Sequence, residues 1–103
     1  MTFRDLLNAA GAAFVDVETF TAPGGGVTWL RADRPFAALG DDGTAAEFRL
    51  DPAVAAAAAR TPDVTASERG PGWVRFAPAV LDDHCADRAT AWFGSAYRRV
   101  SSS

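Results

Sequence analysis

The fold is decided by the stretch VTWLRADRPFAALGDDGTAAEFRL, residues 27–50. Apolar and polar residues alternate along it with a period of two, which is typical of β-strands with one buried face. Asp33-Arg34-Pro35 and Asp41-Asp42-Gly43 interrupt the alternation, and the second of these is a strong tight-turn signal. The stretch therefore predicts three strands joined by short turns, over residues 27–32, 36–39 and 44–50.

A helix and a first strand are predicted upstream of this stretch. The helix begins at Thr2, because a Thr cap followed three residues later by the acid Asp5 is a helix-start signature. Its apolar stripe weakens near Gly11 and consists of Phe3, Leu6, Leu7, Ala10 and Phe14. Residues 15–18 alternate between Val and an acid, which predicts a half-buried strand. The glycine-rich residues 23–26 precede a strand, so they form a turn and not a phosphate-binding loop.

A short helix, a hairpin and a long helix are predicted downstream. Asp51-Pro52 is a helix start, since Asp accepts hydrogen bonds from free backbone N–H groups and Pro gives up none there. Thr61-Pro62 ends that helix. Alternation around residues 69–72 predicts a hairpin. The last helix has an apolar stripe at spacings of three and four, formed by Leu81, Cys85, Ala89, Trp92, Ala96 and Val100, and residues 101–103 form a disordered tail.

The element order is therefore α-β-β-β-β-α-β-β-α. Strands and helices do not alternate one for one, which argues against a doubly wound parallel sheet. We expect an α+β fold in which an antiparallel sheet of about six strands packs its helices on one face, a two-layer sandwich. A chain of 103 residues has room for one modest core, so residues 1–100 are expected to form a single domain.

Composition narrows the functional classes. The chain has a net charge of −3, and its 10 basic residues are all Arg. A single Cys and a single His exclude an internal disulfide and a zinc site built from several such ligands. No apolar run approaches the ~20 residues that cross a bilayer, and the N-terminus lacks a signal-peptide pattern, so we expect a cytoplasmic protein without a membrane partner. The acidic balance disfavours nucleic acid, whose binders carry a positive field.

Arginine and tryptophan residues on the strands are the candidate ligand-binding residues. Arg49 and Arg75 alternate with apolar residues, so we expect them to point away from the helices. Arg31 follows Trp29 at strand spacing and is expected on the same face. An exposed face with Arg and Trp can bind an anion, a nucleotide or single-stranded nucleic acid through charge and stacking. The candidates are Trp29, Arg31, Arg34, Arg49 and Arg75.

A purely structural interpretation of the same face stays open. In that interpretation the sheet face is solvated, and Glu47 and Glu68 pair with the arginines. Trp73 and Trp92 each lie in an apolar stripe, so both are expected in the core.

The run Asp82-Asp83-His84-Cys85 is the only one that holds a carboxylate, an imidazole and a thiol together. On a helix these side chains point around the cylinder, so at most two could share a metal ion, and no metal site or cofactor is expected. Adjacent helical residues diverge by about 100°, which prevents a hydrogen bond between the side chains of His84 and Cys85. The run is best interpreted as a helix cap with acids in the first turn. No catalytic residue is predicted; a small hydrolase or redox enzyme using this pair is the alternative, and it requires a reactive thiol.

Five segments carry a resemblance to a known family: Arg34-Pro35-Phe36-Ala37-Ala38-Leu39, Phe48-Arg49-Leu50-Asp51-Pro52, Thr61-Pro62-Asp63, Gly72-Trp73-Val74-Arg75-Phe76 and Ala96-Tyr97-Arg98-Arg99-Val100. In this order and spacing they resemble the MmcQ/YjbR family of small bacterial proteins, over roughly residues 27–100. The resemblance implies a CyaY-like fold with a curved antiparallel sheet. Members of that family are often labelled DNA-binding, and the family supplies no catalytic residues. This chain has Arg34-Pro35 where many relatives carry a Gly-Lys pair.

The sequence thus predicts a non-enzymatic binding module that contacts nucleic acid or another anionic ligand through an Arg/Trp sheet face. The alternative is a protein-interaction or self-association module without a nucleic-acid role. Either a monomer or a homodimer is compatible with the composition.

Overall fold

The computed structural model describes residues 2–102 of the chain. It confirms the predicted α+β fold and the predicted order of elements. The helices are α1 (Phe3–Ala12), α2 (Pro52–Ala58) and α3 (Asp83–Ser102). The strands are β1 (Glu18–Thr21), β2 (Val27–Arg31), β3 (Arg34–Leu39), β4 (Ala46–Arg49), β5 (Val64–Ala66) and β6 (Trp73–Phe76).

The six described strands form one antiparallel sheet in the order β1-β2-β3-β4-β6-β5. Strands β1 to β4 are neighbours in chain order and form an antiparallel meander. The hairpin of β5 and β6 adds to it through β6, which pairs with β4. Strands β1 and β5 are therefore the two edges of the sheet.

The first strand lies further along the chain than predicted. The alternation of residues 15–18 predicted a strand there, but β1 begins only at Glu18. Asp16 has a φ of 60°, a left-handed backbone conformation that interrupts an extended strand. The two-residue alternation was therefore too short to distinguish a strand from a loop.

The turn between β2 and β3 is tighter than predicted. Arg34 and Pro35, predicted as part of a turn, belong to β3, and Arg34 pairs with Arg31. Ala32 and Asp33 make the turn alone, with φ values of 51° and 65°. Two consecutive left-handed residues are the geometry of the preferred two-residue hairpin turn, which is usually built from Asn and Gly.

A β-bulge in β3 sends Phe36 into the core. The register between β2 and β3 shifts beside Trp29, which leaves Phe36 as an extra residue on β3. Phe36 and Ala37 are consecutive, yet both are fully buried. The ring of Phe36 packs edge-on against Phe93 of α3, with ring centroids 5.2 Å apart.

Helix α3 crosses the sheet and supplies much of the core. The predicted stripe is confirmed, because Ala89, Trp92, Ala96 and Val100 are buried, and Cys85 packs against them. Phe93 lies at the centre, in ring contact with Trp29 and Phe36 of the sheet and with Phe14 after α1. Helix α1 packs on α3 and on the same side of the sheet, where Phe3 meets Phe76 at 6.1 Å between centroids.

The predicted cap of α1 is confirmed. The backbone N–H of Asp5 donates to the Thr2 hydroxyl oxygen at 3.1 Å. The helix ends at Ala12, one residue beyond Gly11. At Gly11 the helix approaches the indole ring of Trp29, where an added Cβ would lie 3.3 Å from Cδ1.

At two helix ends the structure differs in detail from the sequence prediction. Asp51 begins α2, but its side chain makes no cap hydrogen bond; its Oδ1 lies 3.1 Å from Nε of Arg99 in an ion pair. The tail predicted for residues 101–103 is helical through Ser102. The hydroxyl of Ser101 donates to the carbonyl of Tyr97, one helical turn back, at 2.7 Å. Ser103 lies outside the described residues.

The opposite side of the sheet, here called the open face, is not covered by any helix in residues 2–102. Buried residues of β2, β4 and β6, such as Trp29, Phe48 and Phe76, face the helices. The residues between them in each strand point the other way because side chains alternate. This arrangement determines which side chains a ligand can contact.

Phe93→Ala is expected to lower the free energy of unfolding by about 3–5 kcal/mol, because it leaves a cavity where three rings meet. Thr90→Ala, an exposed change on the same helix, is expected to stay within about 0.5 kcal/mol of the parent. Urea unfolding followed by circular dichroism measures both. Equal effects of the two substitutions would contradict this account of the core.

Candidate functional site

The open face consists of two rows of side chains given by the strand register. The first row runs Phe20, Thr28, Ala38, Glu47, Arg75 and Thr65 from β1 to β5. In the second row Leu30 pairs with Pro35, and Arg49 pairs with Trp73. The β1–β3 half of the open face is therefore mainly apolar, and the β4–β6 half is charged.

Arg49 and Arg75 lie on neighbouring strands of the charged half, as predicted. Arg75 is opposite Glu47 and Arg49 is opposite Trp73, so the two arginines are diagonal neighbours. Diagonal neighbours in a sheet have Cα atoms about 7–8 Å apart. Their long side chains can therefore contact one anionic group together.

Glu47 is committed to a different arginine. Its Oε1 accepts from Nε of Arg69 at 3.0 Å, and its Oε2 accepts from the hydroxyl of Ser67. The Ser67 oxygen in turn accepts from the backbone N–H of Arg69 at 3.1 Å. The structural interpretation was thus right that Glu47 forms an ion pair on this face but wrong about its partner. Within residues 2–102, the side chains of Arg49 and Arg75 make no hydrogen bond and no ion pair within 4.0 Å. The pKa of Asp42 lies below its ordinary value, mainly because Thr44 donates hydrogen bonds to its carboxylate, and the charge of Arg75 adds to this effect.

Trp73 belongs to this charged half and not to the core. It is half-buried, and the guanidinium carbon of Arg69 lies 5.3 Å from its ring centroid. The prediction that Trp73 is a core residue was therefore wrong, whereas Trp92 is buried as predicted. We call Arg49, Arg69, Arg75 and Trp73 the Arg/Trp patch.

Trp29 and Arg31 lie on the other side of the sheet, which corrects the predicted site. Trp29 is 1% exposed and packs against Phe93. Arg31 stacks on the ring of Tyr97 at 4.9 Å and donates to the hydroxyl of Ser101. Its terminal nitrogen is also 3.9 Å from Asp16.

Arg34 lies outside the Arg/Trp patch. It is exposed at the first position of β3 and pairs with Arg31 beside the hairpin turn. Of the five predicted residues, the structure thus brings only Arg49 and Arg75 together on the open face.

The position of Trp73 has a signal in the sequence, and that of Trp29 does not. Trp73 and Arg75 flank Val74, so in β6 the tryptophan shares its face with an arginine. Trp29 lies two positions from both Val27 and Arg31, so the same comparison does not show whether its face is apolar or charged.

The start of α3 confirms the interpretation of Asp82 as a helix cap. Its Oδ1 accepts from the backbone N–H of Cys85 at 2.8 Å, and this bond holds the pKa of Asp82 below its ordinary value. His84 contacts Arg88, one turn along, with 3.0 Å between Nε2 and the guanidinium nitrogen. Arg88 also donates to the hydroxyl of Thr61 at 3.0 Å.

A small cavity of about 90 Å³ adjoins His84 and Cys85. Substrate pockets usually enclose about 300–1,000 Å³, so this one is too small for an ordinary substrate. Desolvation raises the pKa of the Cys85 thiol, and the hydrogen bond and negative charge of Asp82 raise it further. A protonated thiol is a poor nucleophile, which weighs against the enzyme alternative.

Native Cys85 is expected to react with iodoacetamide at about pH 8 at least ten-fold more slowly than in the unfolded chain, because its thiolate is disfavoured. Asp82→Asn keeps a residue that can cap the helix but removes the charge, so it is expected to speed the native reaction several-fold. Mass spectrometry of quenched samples gives the rates. A native rate equal to or above the unfolded rate would revive the enzyme alternative.

Two further findings bear on the class of protein. In the part of the chain that the structure describes, no group of three or more His, Cys, Asp and Glu residues is placed to hold a metal ion. No helix among these residues is both long and apolar enough to cross a membrane.

No protein-family model matches this chain, and no match is found among curated proteins. The resemblance to the MmcQ/YjbR family stays a prediction made from the residues quoted above.

Proposed function

We propose that this protein is a non-enzymatic binding module whose Arg/Trp patch contacts single-stranded nucleic acid or another anionic ligand with aromatic rings. The observation that carries the proposal is the pair Arg49 and Arg75, two neighbouring guanidinium groups that form no ion pair within 4.0 Å in residues 2–102, although the charge of Arg75 also acts on Asp42. Unpaired cations beside a half-buried tryptophan suit a phosphate backbone and a stacked base. The MmcQ/YjbR resemblance supports the same proposal.

The shape of the open face favours a single strand over a duplex. Side chains that read a duplex reach into its grooves from a projecting helix or ribbon. The Arg/Trp patch instead lies on a sheet surface, the kind of platform on which unpaired bases stack. The net charge of −3 repels a polyanion at long range, so binding depends on the local cations and is expected to be weak and sensitive to salt.

The double variant Arg49→Ala/Arg75→Ala is expected to lower affinity for a fluorescein-labelled oligothymidylate at least ten-fold at low salt. Loss of two phosphate contacts is also expected to reduce the slope of log K against log salt by about 1.4, at about 0.7 per contact. Fluorescence anisotropy measures both quantities. Arg60→Ala removes an exposed arginine after α2 and serves as the matched control. No binding by the parent, or equal losses in the control and the double variant, would contradict the proposal.

Trp73→Ala is expected to weaken the same binding about 5- to 150-fold, because stacking of one base on an aromatic ring contributes about 1–3 kcal/mol. Trp73→Phe keeps an aromatic ring and is expected to retain most of the affinity. Trp29 and Trp92 are buried, so a change in tryptophan emission on titration reports mainly on Trp73. Equal losses in the Ala and Phe variants would remove stacking from the proposal.

A protein-interaction or self-association role is the second candidate function. The observation that favours it is Phe20 of β1, which is 59% exposed at the apolar edge of the open face. Phe20 is separated from Arg75 by three strands, so the two candidate functions use different surfaces.

A further inference from the structure

Strand β1 is an edge of the sheet that carries an exposed aromatic side chain. Within residues 2–102 it pairs only with β2, so the backbone groups on its outer side have no partner strand. All four of its residues are exposed, and the aromatic side chain of Phe20 is 59% exposed. Unpaired edges of this kind are the surfaces to which another strand adds.

The two edges of the sheet differ in how they are protected. The β5 edge has only three residues, and its largest apolar side chain, Val64, is buried. The β1 edge has four residues with no proline and no basic side chain. Its four consecutive pairs with β2 contain no bulge. Apart from its short length and the charge of Glu18 at its first position, it lacks the proline, the lysine and the bulge by which sheet proteins usually prevent edge pairing.

The end of β1 is held in place by neighbouring residues. The backbone N–H of Ala22 donates to the carbonyl of Gly26 at 2.7 Å, which closes the turn after β1. The N–H of Gly26 donates to Asp41 at 3.0 Å, and Arg4 of α1 donates to the carbonyl of Gly25 at 2.6 Å. A strand that is already ordered loses little conformational entropy when another strand pairs with it.

We propose that β1 pairs antiparallel with β1 of a second copy of this chain, centred on Phe20. A two-fold axis through this position places Phe20 opposite Phe20 of the second copy. The same register places Thr19 opposite Thr21 of the second copy and Glu18 opposite Ala22 of the second copy. Aromatic pairs and Thr–Thr pairs are both favourable across strands.

The charges of the strand fit a second copy. Glu18 is the single charged residue of β1, and in the Phe20-centred register it meets no like charge. A register centred on Thr19 would instead place Glu18 opposite Phe20 and leave the aromatic pair unmade. Self-pairing centred on Phe20 is therefore the two-fold arrangement that keeps the helices of both copies on one side and buries both exposed rings.

This inference rests on the second candidate function and adds to it the partner and the register. It does not involve the Arg/Trp patch, so the oligonucleotide titrations above neither support nor overturn it. Because pairing through four residues buries little surface, we expect a weak dimer whose population rises with protein concentration.

Sedimentation velocity of the full chain over a concentration series tests the association. The parent is expected to move from a species of 10.8 kDa toward one of twice that mass. Phe20→Glu places two carboxylates opposite each other and is expected to raise the dissociation constant at least ten-fold. Val80→Glu, at an apolar residue that is 71% exposed outside the sheet, is the matched control and is expected to dimerise like the parent.

Cysteine crosslinking tests the register. In a Cys85→Ser background, Phe20→Cys is expected to form a disulfide-linked dimer when oxidised glutathione is added, because residue 20 lies opposite itself. Thr19→Cys is expected to crosslink at least ten-fold more slowly, since residue 19 lies opposite residue 21. Circular dichroism checks that each variant is folded.

Each contrary result identifies what fails. A parent that is monomeric at every concentration overturns both the inference and the homodimer form of the second candidate. A dimer that Phe20→Glu leaves intact, or equal crosslinking at residues 19 and 20, overturns the β1 pairing while self-association itself stands. Association only with an added foreign strand peptide overturns the choice of a second copy.

Discussion

The packing of Phe93 between Trp29 and Phe36 is the contact on which the core and the open face both depend. This packing holds α3 across one side of the sheet. Phe14, which follows α1, stacks on Phe93 and so places α1 in the same layer as α3. The bulge in β3 is part of this arrangement, because it turns Phe36 toward α3 in a strand whose alternation would otherwise expose it. With all three helices on one side, the side chains of the opposite side are available to a ligand or a partner.

The periodicity of apolar residues predicted the order of helices and strands, but it predicted only part of the candidate binding site. Alternation along a strand shows which residues share a face, but it does not show which face meets the helices. Trp29 and Arg31 do share a side, yet that side is the core side, so both left the predicted site. Arg49 and Arg75 were placed correctly because apolar residues flank them directly. The left-handed backbone conformation of Asp16 could not be predicted, because the residues around it alternate between Val and an acid as they would in a strand.

The charge distribution explains how an acidic chain can still present cations. Glu47 lies next to Arg75 in the register, but its carboxylate is held by Arg69 and the hydroxyl of Ser67. An acid with both oxygens occupied does not turn easily toward a second arginine. The Arg/Trp patch therefore carries a local excess of positive charge, although the whole chain carries −3. For an anionic ligand, the long-range electric field of the whole chain would therefore be repulsive, whereas the Arg/Trp patch would attract the ligand at short range.

A dimer joined through β1 would change what kind of ligand the Arg/Trp patch can hold. The two sheets would become one continuous sheet, with both open faces on the same side. Counting strand spacings of about 4.8 Å, the two β6 strands would lie roughly 40 Å apart. A short oligonucleotide cannot span that distance and would bind each copy alone, whereas a long single strand could contact both patches and gain from the higher effective concentration. Because the proposed contact at a single patch is expected to be weak in an acidic chain, such bivalent contact would favour long ligands over nucleotides.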